Sequence, residues 1–403
     1  MGFTKRLIED ELERGYRLTG DFVCSQCFED DAIRDFISAH LTEHECSFCD
    51  RSSEDEVIAC PLDDIIEHMM TCVGDHYSDA EAESVPYDNE DQKYIVKTFD
   101  TWDLLRDALD TFPMSSKKLT NRLLHAIPDR AWCKRDPELL SREEGLHLGW
   151  REFCLAIKHE TRYLFFRVRE GDEPEYVEPA DMLEEIGELI RRYRLVVDLP
   201  LGTRFLRARC TAGNLRFETP ADVGPPSSKL ASTNRMNAAG IAMFYGAEDE
   251  GTAITETRQP GDIRASIGTF ETLVGLKLLN LVDLPGLPSL FSEKHRLRDE
   301  IRFLWNFRRD AVSPVDPKAA DYEYSPTQVV AEYIRRGFRY AEGERLDGIV
   351  YPSSKGGARN YVFFADRRNV EGVADDILSA SGTKKFRMVS VKHMDLPGTP
   401  SSA

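Results

Sequence analysis

The chain has 403 residues, 41% of them hydrophobic and 31% charged, an ordinary balance for a soluble protein of two or three domains. Lys and Arg number 52 against 71 Asp and Glu, a formal charge of −19, so nucleic-acid backbones repel the chain and a sequence-independent grip on DNA or RNA is disfavoured. No apolar run approaches the roughly 18 residues of a membrane span.

The amino-terminal run M-G-F-T-K-R-L-I-E-D-E-L has no apolar core of a signal peptide. It reads as a charged helix, and Arg6 departs from a myristoylation signal. A cytoplasmic protein is expected. Cys24, Cys27, Cys46 and Cys49 form C-x2-C-x18-C-x2-C, the spacing of a four-thiolate zinc site. Such an ion supplies folding energy that a small segment cannot draw from its own core. With four protein ligands it has no open position for a substrate, so the expected zinc is structural. His44, two residues before Cys46, is expected to be exposed, and Cys60, Cys72, Cys133, Cys154 and Cys210 show no pairing pattern and read as free thiols.

Between Gly74 and Gln92 the composition turns acidic and poor in aliphatics, with a proline inside, which predicts a flexible joint or a solvated loop. From Lys93 to Arg194 the pattern is helical. Asp103–Thr111, Lys117–Ala126, Gly149–Arg167 and Ala180–Arg194 carry aliphatics at three- and four-residue intervals, with breaks at Pro113, Pro128, Pro137 and Pro179.

Beyond Leu199 the pattern becomes mixed. The run F-L-R-A-R (Phe205–Arg209) reads as a strand, Gly240–Gly246 as a short strand bounded by glycines, and Ala247 onward as a helix with acidic residues at its start. Ile263–Val274 and Leu276–Leu284 are strand-like, and Glu293–Asp310 is an amphipathic helix whose charges read as a solvated face. Tyr324–Arg336 is a helix opened by Ser325-Pro326. Leu346–Ser354 and Asn360–Ala365 are strands, Lys384–His393 adds a last one, and the residues from Asp395 on are expected to be disordered.

Chemistry concentrates between Asn234 and Arg258, where Arg235, Tyr245 and Glu256 supply a fixed cation, an aromatic face and a carboxylate. That set suits a dinucleotide such as NAD. An Arg fork binds pyrophosphate through charge-assisted hydrogen bonds, and an aromatic ring covers the cationic nicotinamide. Cleavage of the nicotinamide–ribose bond passes through an oxocarbenium-like state that a carboxylate stabilises. Ser353 and Ser354, at the end of a strand, offer a hydroxyl able to orient a carboxylate or a ribose.

These segments together resemble the RES domain, a family named for its Arg, Glu and Ser. Arg235 matches the family Arg, Tyr245 the aromatic that follows it, Glu256 the Glu, Ser353 the Ser of the D-G-I-x-Y-P-S run, and Arg207 the first Arg of the opening strand. The resemblance spans residues 200 to 393. It implies an ADP-ribosyltransferase-like fold that binds NAD and releases nicotinamide by hydrolysis or phosphorolysis, commonly as a growth-arresting toxin held by an antitoxin. On that resemblance Glu256, Arg235 and Ser353 are catalytic, and Arg207, Arg235 and Tyr245 bind NAD. Two departures are visible: Asn234 and Met236 flank the Arg where many members have Gly and Trp, and about 200 residues precede the domain. Trp150–Phe166 is similar to the helical HEPN-like domain that accompanies some RES proteins.

The expected fold is therefore α+β, with a zinc module and acidic linker (1–92), a helical HEPN-like domain (93–199), a mixed α/β RES domain (200–393) and a disordered tail (394–403). Three rivals stay open. The helical block is a ribonuclease with the RES half as an NAD sensor, although Arg34 with His40, which has the required R-x4-6-H spacing, lies between the cysteine knuckles outside that block, and Arg151 with His159 inside it lacks the spacing; or the pocket senses NAD without cleaving it; or ADP-ribose is transferred to a protein.

Overall fold

A computed structural model describes residues 11, 14–108, 116–167, 176–316, 318–354, 357–374 and 382–397. The expected amino-terminal helix, apart from residue 11, lies outside the described residues, as do residues 109–111 of the expected Asp103–Thr111 helix, Pro113 and residues 398–403 of the expected tail. The chain divides into two compact units, Met1–Ser141 with Gly286–Asp299, and Arg142–Pro285 with Glu300–Ala403. The expected helical block 93–199 is thereby shared between the two, and residue 92 falls inside the first.

In the first unit, β1 (Phe22–Cys24) leads through a single 3-10 turn into α1 (Asp31–Ala39). Asp30 caps α1 by accepting from Ile33 N, and Ile33 and Ile37 turn one face inward. Then come β2 (Ala59–Pro61), antiparallel to β1, and α2 (Leu62–Gly74), which buries Leu62, Ile65, Ile66, Met69, Cys72 and Val73. The acidic stretch after Gly74 is not the expected loose joint. It holds β3 (Tyr77–Asp79) and β4 (Tyr87–Asp88), the latter paired with β5 (Lys93–Tyr94). α3 (Lys117–Ala126), capped by Ser116, has the expected limits, and β6 (Trp132–Lys134) pairs with β3. Backbone pairing across β3 and β6, over a small cluster of Ala80, Val85 and Cys133, orders a sequence whose composition alone cannot. Leu290 and Phe291, from the Gly286–Asp299 segment, are buried in this unit's main core.

The second unit opens with α4 (Arg142–Leu155), which runs on through a π turn at Ala156–Glu160. Gly149, read as a helix start, is in fact interior: a Cβ there would come within 2.3 Å of the Val177 carbonyl oxygen, so glycine marks a close approach. α5 (Met182–Arg192) follows. The remaining strands are β7 (Val196–Leu199), β8 (Arg204–Thr211), β9 (Phe244–Ala247), β10 (Arg264–Thr272), β11 (Leu276–Asn280), β12 (Gly348–Pro352), β13 (Arg359–Phe363) and β14 (Phe386–Asp395). The helices among them are α6 (Glu250–Thr257), α7 (Arg298–Val312) and α8 (Ser325–Glu332), the last continued by a π turn at Tyr333–Gly337.

The eight strands form one sheet in the order β14-β10-β8-β9-β13-β12-β11-β7, antiparallel except for β11 with β12. A phenylalanine cluster of Phe205, Phe244, Phe270, Phe363 and Phe386 fills one part of the core, and a second cluster joins Leu279, Ile349 and Val362 to apolar residues of α4, α5, α7 and α8. This is the expected mixed α/β architecture, with the large mixed sheet towards the carboxyl terminus and helices towards the amino terminus.

Three expectations are corrected here. Only Phe244–Ala247 of the glycine-bounded strand is extended, because Gly240, at φ +83°, turns the chain before it. The charges of α7 are not all solvated: Glu300 is 5% exposed and accepts from the Arg142 and Arg192 guanidiniums and, at 2.9 Å, from the Tyr193 hydroxyl. The start of the expected tail is ordered, since Asp395 closes β14 and buried Leu396 donates its N–H to Ile263 O at 2.7 Å. No described helix is long and apolar enough to cross a membrane.

Candidate active site and candidate metal centre

The sheet is pinched between β8 and β9, which share a single bridge, Leu206 with Ala247. Gly246 makes this approach feasible, because a Cβ there would meet the Phe205 ring at 2.4 Å. Beside the bridge lies a cavity of about 370 Å3 lined by residues 206–209 of β8, by Met243 and Tyr245–Ala247, by Arg235, by Glu256 of α6, and by Tyr324, Tyr351 and Asn360. A volume of this size suits a small ligand. Arg207 of β8 and the stretch that holds Arg235, Tyr245 and Glu256 therefore share one cavity, and Ser353 reaches it through Glu256.

Glu256 stands in the last turn of α6, which starts only at Glu250 because Asp249 caps it by accepting from Thr252 N. Its Oε1 accepts from the Ser353 hydroxyl at 2.8 Å and from Asn360 Nδ2 at 2.9 Å. Both donors are buried, Ser353 at 6% exposure and Asn360 at 4%. The carboxylate is thus held on one oxygen, while Oε2 has no hydrogen bond among the described residues. Asn360 was not foreseen. In the sequence it is a polar residue at the start of an apolar strand; its role depends on β13 pairing with β12, where Asn360 lies opposite Tyr351.

Arg235 is fixed by three neighbours. It donates to Ala311 O at 3.1 Å, its guanidinium lies 5.2 Å from the Tyr324 ring centroid, and its carbonyl accepts from the Thr327 hydroxyl at 2.7 Å. The loop around it is strapped by Gln328, whose amide lies within donating range of Thr233 Oγ1, Asn234 O and Asn237 O at 3.0, 2.8 and 3.0 Å. The Tyr245 hydroxyl donates to Asn237 Oδ1 at 2.6 Å. Tyr245 therefore offers the cavity its ring, while its phenol, pushed well above the ordinary tyrosine range by burial and then by Tyr351, anchors the loop. Neither Gln328 nor Asn237 carries a signal in the sequence beyond ordinary polar composition.

Arg207 donates to Tyr245 O at 3.0 Å, and its Nε is buried without a partner. Burial, followed by the neighbouring Arg209, draws its guanidinium down to about 10. A cation so placed calls for an anion.

In the first unit, the Cys24, Cys27, Cys46 and Cys49 sulfurs all lie within 4.8 Å of one another. Three separations are 3.8, 3.6 and 3.7 Å, for Cys24 with Cys27, Cys24 with Cys49 and Cys27 with Cys46. A tetrahedral ion with metal–sulfur bonds of about 2.3 Å requires sulfur–sulfur edges of about 3.8 Å, so the four thiols fit a metal. His44 is exposed, with Nδ1 on Glu56 O at 3.0 Å, and is not part of the cluster.

The arginine–histidine pairs considered for RNA cleavage are engaged locally. Arg34 meets Asp31 at 3.5 Å, and His40 sits on Phe36 O at 2.7 Å and stacks on the Phe36 ring. Arg151 binds Glu152 at 3.0 Å, and the His159 ring lies 5.7 Å from that of Tyr322.

Comparison with family models matches residues 207–381 to the RES domain and residues 39–171 to HEPN/RES N-terminal domain 1. The second match starts ahead of residue 93 and takes in Cys46 and Cys49. No curated protein and no solved structure matches the chain. All five residues that converge on the cavity fall within the first match, and the chain carries a RES domain over residues 207–381 with a HEPN/RES N-terminal domain ahead of it.

Proposed function

We propose that the RES domain cleaves the nicotinamide–ribose bond of NAD and that the chain acts as a growth-arresting effector restrained by an antitoxin or a comparable regulator. The observation that carries this reading is the Glu256 carboxylate, anchored on one oxygen by Ser353 and Asn360 and facing a cavity that also holds Arg207, Arg235 and the Tyr245 ring. Arg207 and Arg235 bind the pyrophosphate, and the Tyr245 ring packs on the nicotinamide or its ribose. As the glycosidic bond lengthens, positive charge grows on the ribose, and Glu256 opposes it at the moment it forms. Glu256 also lies at the carboxyl end of α6, where unpaired helix carbonyls add negative potential. Ser353 and Asn360 remove the carboxylate's rotational freedom, so little reorganisation is left for the reaction itself.

The four-cysteine cluster is assigned to structural zinc. Four thiolates close the tetrahedron, so the ion supplies folding energy and no chemistry at substrate.

The test is incubation of the full chain with NAD, with and without phosphate, and identification of products by mass. Free nicotinamide with ADP-ribose marks hydrolysis, and a phosphorylated ADP-ribose marks phosphorolysis. Label from the adenylate half appearing on protein marks ADP-ribosyl transfer instead. Glu256→Gln keeps volume and loses charge, so binding persists while turnover falls by about 100-fold or more. Nicotinamide release by that variant at the parent rate overturns the reading.

A further inference from the structure

Arg209 also lines the cavity, two residues beyond Arg207 on β8 and so about 7 Å further along the strand. Among the described residues its guanidinium makes no hydrogen bond or ion pair, and it rests 5.4 Å from the Phe217 ring centroid. Burial, followed by the neighbouring Arg367, lowers its proton affinity, and Asp222 opposes this only in part. Asp222 is otherwise occupied, accepting from Thr219 N at 3.0 Å and from the Thr219 hydroxyl at 2.7 Å in a capping box. Arg367 spends its own donors on the carbonyls of Ala221 and Pro225, at 2.9 and 3.4 Å. The cavity lining thus carries three guanidiniums, Arg207, Arg209 and Arg235, against the single carboxylate of Glu256.

Half-buried cations without counter-charges are costly unless a ligand supplies the charge. Arg207 and Arg235 are each held by protein neighbours, since Arg207 donates to the carbonyl of Tyr245 and Arg235 lies among Tyr324, Thr327 and Ala311. Arg209 is displaced from them along β8. We propose that Arg209 is a second anion subsite, which joins Arg207 and Arg235 on the pyrophosphate by holding its phosphate remote from nicotinamide and so makes the cavity selective for a pyrophosphate-bearing substrate over a mononucleotide. The substrate assignment rests on the NAD-cleaving reading above; the anion subsite does not.

The experiment uses the full chain and two variants, Arg209→Gln and Arg209→Lys, at fixed ionic strength. Calorimetric titration with inorganic pyrophosphate is combined with steady-state kinetics on NAD and on nicotinamide mononucleotide. Arg209→Gln weakens pyrophosphate binding by about tenfold or more, the loss of a charge-assisted hydrogen bond. It raises KM for NAD by a similar factor, with kcat within about twofold, and leaves KM for the mononucleotide unchanged. Arg209→Lys keeps the charge and recovers most of the loss. Pyrophosphate affinity in Arg209→Gln within twofold of the parent overturns the subsite, as does equal loss in both variants. Equal effects on NAD and on the mononucleotide overturn the selectivity. Binding of pyrophosphate that depends on Arg209, in a chain that releases no nicotinamide from NAD, supports the subsite and overturns the substrate.

Discussion

Two donors meet on one oxygen of Glu256, and they separate what a sequence can disclose from what it cannot. Arg235, Tyr245 and Glu256 lie in one stretch, and Ser353 sits in a turn after a recognisable strand, so the chemistry of each is readable locally. Asn360 is not, because its partner lies 104 positions away and they meet only once β13 is paired and α6 is docked. The two donors should be distinguishable. Asn360→Leu removes one donor and Ser353→Ala the other, and each lowers kcat by about 10- to 100-fold with KM for NAD changed far less, since a loosened carboxylate fails the transition state more than the ground state. Steady-state kinetics with thermal unfolding as a control checks this. A rise in KM at constant kcat would assign both to binding.

At the level of elements, most helices and strands are legible in the sequence, and each exception has a physical reason. Gly240–Met243 is apolar and reads as part of β9, yet a positive φ at Gly240 turns it away, and Gly149 reads as a helix boundary while serving a close contact inside α4. The first rests on a backbone turn and the second on the close approach of a neighbour, and local pattern carries neither. Gly348 is of the second kind. A Cβ there would meet Val362 O at 2.3 Å and Phe363 Cα at 3.0 Å, both backbone of β13. Gly348→Ala should therefore push β13 aside, costing about 2–3 kcal/mol and lowering Tm by roughly 5–10 °C, whereas Gly275→Ala, where an added methyl meets nothing, should leave Tm unchanged. In the first unit, His76 Nε2 lies 2.9 Å from His295 Nδ1, and His295 Nε2 lies 3.4 Å from Asp75. Burial first, then His295, holds His76 below the ordinary histidine value; burial likewise lowers His295 against the pull of Asp75. Both rings bind protons less readily folded than unfolded, so their contribution to stability is whole above about pH 6.5 and is lost as pH falls through the depressed native values. Urea midpoints measured across that range should fall on acidification, and fall less in His76→Gln.

For the whole molecule, composition gave the class and misled on detail. The net charge of −19 is not spread evenly: the unit Met1–Ser141 with Gly286–Asp299 holds 34 acidic and 18 basic residues, and the other unit 37 and 34. The repulsion of nucleic acid inferred from the total therefore belongs mainly to the first unit. The four-cysteine motif was legible because two C-x2-C pairs at this separation are the spacing of a four-thiolate site. Its energetic weight is testable: elemental analysis should find one zinc per chain, lost in Cys27→Ser, and a strong chelator at neutral pH should unfold the first unit while leaving the β-sheet signal of the second. Retention of the first unit's structure without metal would make the cluster a set of free thiols. Domain limits were least legible, because reading along the chain presumes that a domain is one continuous piece.

That presumption fails at Gly286–Asp299, a detour out of the sheet-bearing half that deposits Leu290 and Phe291 in the core of the other. Neither half is a cassette. A gene trimmed to the sheet-bearing portion would still encode the detour, now with its greasy side chains bare, and one trimmed to the leading portion would lack a piece of its own interior. Recombination that shuffles this protein with others is thereby confined to exchanges that carry both halves together or excise the detour.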